Sequence, residues 1–341
     1  MLSKREFKKY RKNALKEIHY QNVYADGVIE TKPGYFTKMY RCLGSALAVF
    51  DLIHRFYLSE DAAILDYKLN EVDAQITYFE GSYYLTIGTE QNSYESSLVV
   101  FDSIDPNEIL VVQLSFDERM SVLHAMYQND DKYEDRFNKF SYRKKDKKPP
   151  VEFKDYMKNF KKNKKISKDL ILPFEMYENS TEFEFEGNYI RYFYLKNTPR
   201  YLTREFLEEM ESIENVCFSI HFKPLDQTQI VEYVQTKFEV LKDLKRQELL
   251  QKQFFESATP ELKKSAKRNE EMFLITMVLG VANDSIDDLN YKVKNLVREF
   301  EKSYVVKELK FQQKNSLQTF LPFCEDRLDV KTTIYKKRET V

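Results

Sequence analysis

Apolar and polar positions alternate along Ala74 to Phe79 and again along Tyr83 to Gly88, on either side of Gly81-Ser82. A period of two over such short runs predicts strands, and the Gly-Ser pair between them predicts a hairpin. Val28 to Glu30 and Tyr35 to Tyr40 read as two more strands. Lys32-Pro33-Gly34 lies between them and supplies a fixed φ followed by a position open to positive φ. Leu98 to Phe101 and Ile109 to Phe116 are further strand candidates. Residues 2–18, 46–57 and 117–140 read as helices.

The second half has a clearer rhythm. Tyr189 to Leu195, Val216 to Phe222, Met272 to Val281 and Tyr304 to Phe311 are rich in β-branched and aromatic residues and predict strands. A helix over Thr203 to Ile213, with Thr203 as N-cap, separates the first two. Asp226 and Gln229 have the spacing of a capping box and open a long helix. Its apolar positions Ile230, Val234, Phe238, Leu241 and Leu244 recur every three or four residues. Thr259-Pro260 breaks it, and Glu261 to Glu270 restarts a second helix. Ser285 and Asp288 have N-cap spacing before a helix that runs to about Lys302.

The order is β-α-β, a helical hairpin, then β-α-β. Without the hairpin it is a ferredoxin-like split βαβ, from which residues 226–270 would project as an arm. The expected fold class is therefore α+β in two domains. Residues 1–142 form an N-terminal α+β domain. Residues 169–335 form the ferredoxin-like domain with the helical arm. A Lys-rich linker, 143–168, joins them, because Pro149-Pro150 stops a helix and like charges repel. A length of 341 residues suits two domains of roughly 100–200 residues each.

Charge is unevenly spread. The net formal charge is -1, yet residues 143–168 hold twelve Lys/Arg against three acids, a surplus of nine. Lys144, Lys145, Lys147, Lys148, Lys161, Lys162, Lys164 and Lys165 are its candidate contacts to anionic lipid or nucleic-acid phosphate. Phe153, Tyr156 and Phe160 interleave with the lysines and could stack on bases. The plain alternative is a solvated linker. Phe254 and Phe255 fall near the tip of the expected arm, where they either form a docking knob or pack back on the second helix.

Cys42, Cys217 and Cys324 are too few and too scattered for a disulfide framework or a metal site, which suits a reducing cytoplasm. The basic N-terminus lacks the apolar core of a secretory signal. The longest apolar run, Phe273 to Ala282, is shorter than the roughly 20 residues that span a bilayer. The chain is thus expected in the cytoplasm.

Three groups of segments resemble CagE/TrbE-type ATPases of conjugation and type IV secretion. Tyr24-Ala25-Asp26-Gly27-Val28-Ile29-Glu30 followed by Pro33-Gly34-Tyr35-Phe36-Thr37-Lys38-Met39-Tyr40 is similar to the opening of that family. Tyr189-Ile190-Arg191, Pro199-Arg200-Tyr201-Leu202 and Ser219-Ile220-His221-Phe222-Lys223-Pro224 resemble its middle. Glu271-Met272-Phe273-Leu274 to Asp288-Leu289, then Gln312 to Leu321-Pro322, resemble the stretch just before its motor domain. One departure stands out. The family often continues its second strand with Asp-x-Asn-Tyr, whereas here Arg41-Cys42-Leu43-Gly44 follows.

The resemblance implies an interaction module of a conjugative DNA-transfer ATPase. Its partners would be secretion-channel proteins at the inner membrane and its own motor domain, in an oligomer. The resemblance also implies a place peripheral to the cytoplasmic face of the membrane. Catalysis is not expected from these residues. A P-loop needs Gly-x-x-x-x-Gly-Lys-(Ser/Thr), and Lys directly follows none of Gly27, Gly34, Gly44, Gly81, Gly88, Gly187 or Gly280. No cofactor or metal site is expected either. His19, His54, His124 and His221 are isolated, and His221 stands four residues from Cys217 on one strand, roughly 13 Å along it. The carboxylates Asp284, Asp287 and Asp288 suit a helix N-terminus. The alternative reading is a free-standing nucleic-acid-binding protein that uses residues 143–168.

Overall fold

The computed structural model describes residues 20–44, 48–49, 72–102, 111–128, 171, 176–185, 188–197, 204–213, 216–225, 272–300, 304–328 and 332–335. In chain order the strands are β1 (Asn22–Val23), β2 (Ile29–Lys32), β3 (Tyr35–Cys42), β4 (Val72–Phe79), β5 (Ser82–Glu90), β6 (Val111–Gln113) and β7 (Met176–Glu178). They continue as β8 (Phe183–Phe185), β9 (Asn188–Asn197), β10 (Val216–Leu225), β11 (Met272–Asn283), β12 (Val305–Glu308) and β13 (Thr332–Tyr335). The helices among the described residues are α1 (Tyr94–Asp102), α2 (Phe116–Gln128), α3 (Arg204–Glu211), α4 (Ile286–Phe300) and α5 (Gln313–Phe320).

All 13 strands share one sheet, ordered β1-β2-β3-β5-β4-β10-β11-β9-β8-β7, with β6 beside β3, β12 beside β9 and β13 beside β11. Every described pairing is antiparallel. This corrects the expected fold class. A ferredoxin-like domain with a helical hairpin would close its sheet on the strands of the second half. Instead β10 pairs with β4 from Phe218–Tyr78 to Phe222–Ala74, so strands of both halves lie in one large antiparallel sheet. The physical reason is that a strand edge offers N–H and C=O groups to whatever edge can reach it, and the order of elements does not say which. The expected arm, 226–270, and the expected linker, 143–168, lie outside the described residues, as does the expected N-terminal helix.

Local signals decide several elements. Ser82 pairs with Phe79, so the β4–β5 turn falls on Glu80-Gly81. Both have positive φ, 47° and 71°, as a tight hairpin turn requires. Leu98 to Phe101 is helical, not extended. Ser93 accepts the Ser96 amide on its hydroxyl and the Ser97 amide on its carbonyl, which starts α1. Ser97 and Phe101, one turn apart, point inward while Val99 is exposed. The strand expected over Ile109 to Phe116 stops at Gln113, because Ser115 and Glu118 form a capping box that opens α2. The expected Tyr304–Phe311 strand shortens to β12.

Alternation along the strands gives the sheet two different faces. Ile76, Leu85, Ile87, Phe218, Ile220, Phe222, Met277 and Leu279 make one face apolar. Phe101 of α1, Phe206 and Met210 of α3, and Leu289, Leu296 and Phe300 of α4 join that core. The neighbouring positions on the same strands are Thr37, Gln75, Thr77, Thr86, Ser219 and Thr276, and each is at most 1% exposed. Met39, Phe79, Tyr84, Cys217 and Val278 share this second face, so it mixes buried polar and apolar side chains; α5 and the segment after it cover it, with α2 alongside. No helix among the described residues is long and apolar enough to cross a membrane.

Candidate functional site

Gln75 sits at the middle of β4 and is fully buried. Its amide nitrogen lies 2.8 Å from Ser219 Oγ and 3.1, 3.1 and 3.0 Å from the carbonyls of Thr319, Phe320 and Leu321, which share its two N–H hydrogens. Those carbonyls end α5, where a helix leaves acceptors without intrahelical partners. The Gln75 Oε1 accepts the Cys324 amide at 2.8 Å. One side chain thus ties the end of α5 and the following turn to the centre of the sheet. His221 Nε2 lies 2.6 Å from the Thr319 carbonyl and adds a second tie from β10.

Arg119, in the first turn of α2, makes the third. It is fully buried, and its guanidinium donates to the carbonyls of Gly27, Thr37 and Pro322 and to the Thr37 hydroxyl, at 2.8–3.1 Å. Its Nε has no partner among the described residues. Burial pushes the group down to about 9, so it remains charged at neutral pH. A cation held by carbonyl dipoles is costly to place and costlier to leave unpaired. We call the segment that these ties hold, Leu309–Leu328, the strap.

Beside the strap's end lies a cleft of about 670 Å³, where Tyr35, Asp73, His221, Thr276, Cys324 and Asp326 meet. Tyr35 donates to Asp73 at 2.8 Å and Thr276 to Asp326 at 2.6 Å. At the rim Arg327 pairs with Glu325 at 2.6 Å and Lys32 with Glu90 at 3.3 Å. Burial, then the Asp73 carboxylate, raises the Cys324 thiol well above its ordinary range, and the Arg119 charge opposes this only in part. Burial and the neighbouring Cys324 and Asp73 likewise hold the Tyr35 phenol protonated. The Cys324 sulfur faces the Thr86 carbonyl at 3.2 Å. A thiol kept neutral in this way is a poor nucleophile. What the cleft offers a partner is hydrogen bonding and paired charge.

Gly88 makes this approach possible. A Cβ there would run into the Tyr35 hydroxyl and the Cβ of Cys324. An interior strand glycine often marks such a close approach.

The candidate contacts Lys144, Lys145, Lys147, Lys148, Lys161, Lys162, Lys164, Lys165, Phe254 and Phe255 all lie outside the described residues. Cys217 and His221 share β10 and are not brought together. Cys217 reaches the Gly280 carbonyl at 3.5 Å, and burial pushes its thiol up to about 12. Ser285 caps α4 through the Asp288 amide, so Asp287 and Asp288 sit in the first turn where the helix dipole favours them. Among the described residues no group of three or more His, Cys, Asp or Glu is placed to hold a metal. Sequence reasoning missed Gln75 and Arg119. The available signal was in β4, where Asp73, Gln75 and Thr77 alternate with Val72, Ala74 and Ile76 yet face a covered surface.

No family model matches the chain, and no curated protein matches it.

Proposed function

We propose that the chain is a non-catalytic docking module of a conjugative DNA-transfer (type IV secretion) ATPase, coupling a motor to channel components at the cytoplasmic face of the inner membrane. One observation carries the reading. Residues 312–322, which resemble the stretch preceding the family's motor, are the part of the strap that Gln75, His221 and Arg119 tie to the sheet. Of the other segments, those among the described residues fall on the β1–β2 turn, β2, β3, β9, β10 and β11 of that same sheet and on the start of α4, and Pro199 to Leu202 lie outside the described residues. A displacement applied to the strap would therefore pass into the strands that carry the rest of the resemblance.

The test uses purified residues 1–341. Isothermal titration should detect no ATP binding, and the protein should bind a purified inner-membrane channel protein of the same transfer system. Saturable ATP binding or turnover by this chain alone would sink the proposal. So would failure to bind every channel component offered.

A further inference from the structure

We infer that the strap is a latch with two states, closed against the sheet and lifted from it, and that lifting leaves the sheet folded. The inference does not depend on the conjugative assignment.

The contact under the strap is unlike the rest of the core. Here polar side chains are interleaved with apolar ones: the strap buries Gln313, Ser316, Gln318 and Thr319, and on the sheet Thr37, Gln75, Thr77, Thr86, Ser219 and Thr276 stand among Met39, Phe79, Tyr84 and Val278. When such a contact opens, water replaces most of its hydrogen bonds, so separation costs little for each polar pair. Opening the opposite face would expose Phe218, Ile220, Phe222, Met277 and Leu279, and water offers those side chains no replacement. The polar layer is also imperfectly satisfied. Thr77 Oγ1, Thr86 Oγ1 and Tyr192 Oη are buried without a hydrogen-bond partner among the described residues, and water can supply one to any of them that lifting exposes.

Two positions within the strap, on either side of α5, are strained. Phe311 and Cys324 have φ of 59° and 54°, a region that disfavours residues with a Cβ. Phe311 is 80% exposed, so no packing of its ring holds the backbone there. The two strained positions bracket α5 and the Leu321–Phe323 turn, where hinges would stand. Leu317, Phe320, Leu321, Phe323 and Leu328 oppose lifting by joining the apolar cluster of this face. They make the closed state dominant and the lifted state a minor one.

Amide hydrogen exchange on the full chain, followed across low urea concentrations, tests this. The amides of Lys314 and Cys324 are hydrogen-bonded across to Glu178 and Gln75 in the closed state, and the Tyr192 amide of β9 is bonded to Gln313 of the strap. They should exchange as one unit, about a hundredfold faster than the β10–β11 ladder and with a weaker urea dependence. Gln75→Leu should speed the strap amides about a further tenfold relative to those of β10–β11. If Gln75→Leu does not fold, Tyr35→Phe serves, since it removes the hydroxyl that donates to Asp73 at 2.8 Å and lies 3.4 Å from the Cys324 carbonyl, and so bridges the sheet to the strap. The latch is overturned if strap and ladder amides share one rate and one urea slope. It is equally overturned if the substitution speeds both sets alike.

Discussion

The Gln75 side chain accepts the Cys324 amide across the polar face of the sheet at 2.8 Å, joining two residues 249 positions apart. The same side chain donates into the end of α5, so a single substitution should undo the attachment. Gln75→Leu keeps the volume but strands the Cys324 amide and several carbonyls. We expect a loss of about 3 kcal/mol, from unsatisfied buried groups at roughly 1–3 kcal/mol each. Equilibrium urea unfolding monitored by circular dichroism measures it. A loss within experimental error would mean that water takes over the role of Gln75.

Arg119 should not tolerate lysine. Its planar fork reaches three carbonyls and a hydroxyl at once, and an ammonium is a point charge that cannot reproduce that geometry. Arg119→Lys and Arg119→Met should each destabilise the fold by about 3 kcal/mol, the first by leaving a poorly paired charge and the second by leaving unpaired carbonyls. Thermal unfolding of the two variants, compared with the parent, tests this. A stable Arg119→Lys protein would contradict it.

Gly88→Ala should be costly in proportion to the Tyr35 side chain it meets. The added Cβ collides with the Tyr35 ring and hydroxyl, and overpacking of this kind costs about 2 kcal/mol. Tyr35→Phe removes the hydroxyl, which is the nearest atom. In the double variant part of the Gly88→Ala loss should therefore be recovered. A double-mutant cycle reads this as a coupling energy of about 1 kcal/mol. Strict additivity would show that the strand relaxes away from Tyr35.

Alkaline pH should destabilise the protein before it harms the covalent chain. Burial raises the Cys42 and Cys217 thiols from an ordinary 9.0 to about 12 in the folded state. A raised folded value means that the native state holds its proton more tightly. Its contribution is complete below pH 9 and is lost as pH rises toward 12. Each thiol contributes a slope of about 1.4 kcal/mol per pH unit across that window. Tyr304, raised to about 12, acts in the same direction, and Arg119, lowered to about 9, acts in the opposite one. Urea midpoints should therefore fall between pH 9 and 11, and Cys42→Ala with Cys217→Ala should flatten the fall.

Much of the local structure was legible in the residues. The β4–β5 hairpin, the β3 strand, the α4 helix and the four main strands of the second half follow from period, caps and turns acting within a few positions. The Ser115–Glu118 capping box was legible too, and reading it would have ended the β6 strand in the right place. Leu98 to Phe101 was misread because a four-residue apolar run fits a strand or one turn of a helix equally well. The short β7 and β8 have too few residues to show a period. The short helix α5 carries Gln313, Ser316, Gln318 and Thr319, which read as exposed positions until a polar sheet face is known to cover them.

The sequence by itself determined where most of the longer strands and helices form and which residues alternate on those strands, because those follow from interactions between near neighbours. It did not determine that β10 lies beside β4, that one sheet takes strands from both halves, or that Gln75 meets Cys324. Those outcomes depend on which distant edges and faces satisfy one another's hydrogen bonds. The Asp73-Gln75-Thr77 row shows the difference plainly. As a pattern it marks the solvent side of a strand, and only the strap folded over it turns Gln75 and Thr77 into the buried centre of the protein while Asp73 stays at the cleft.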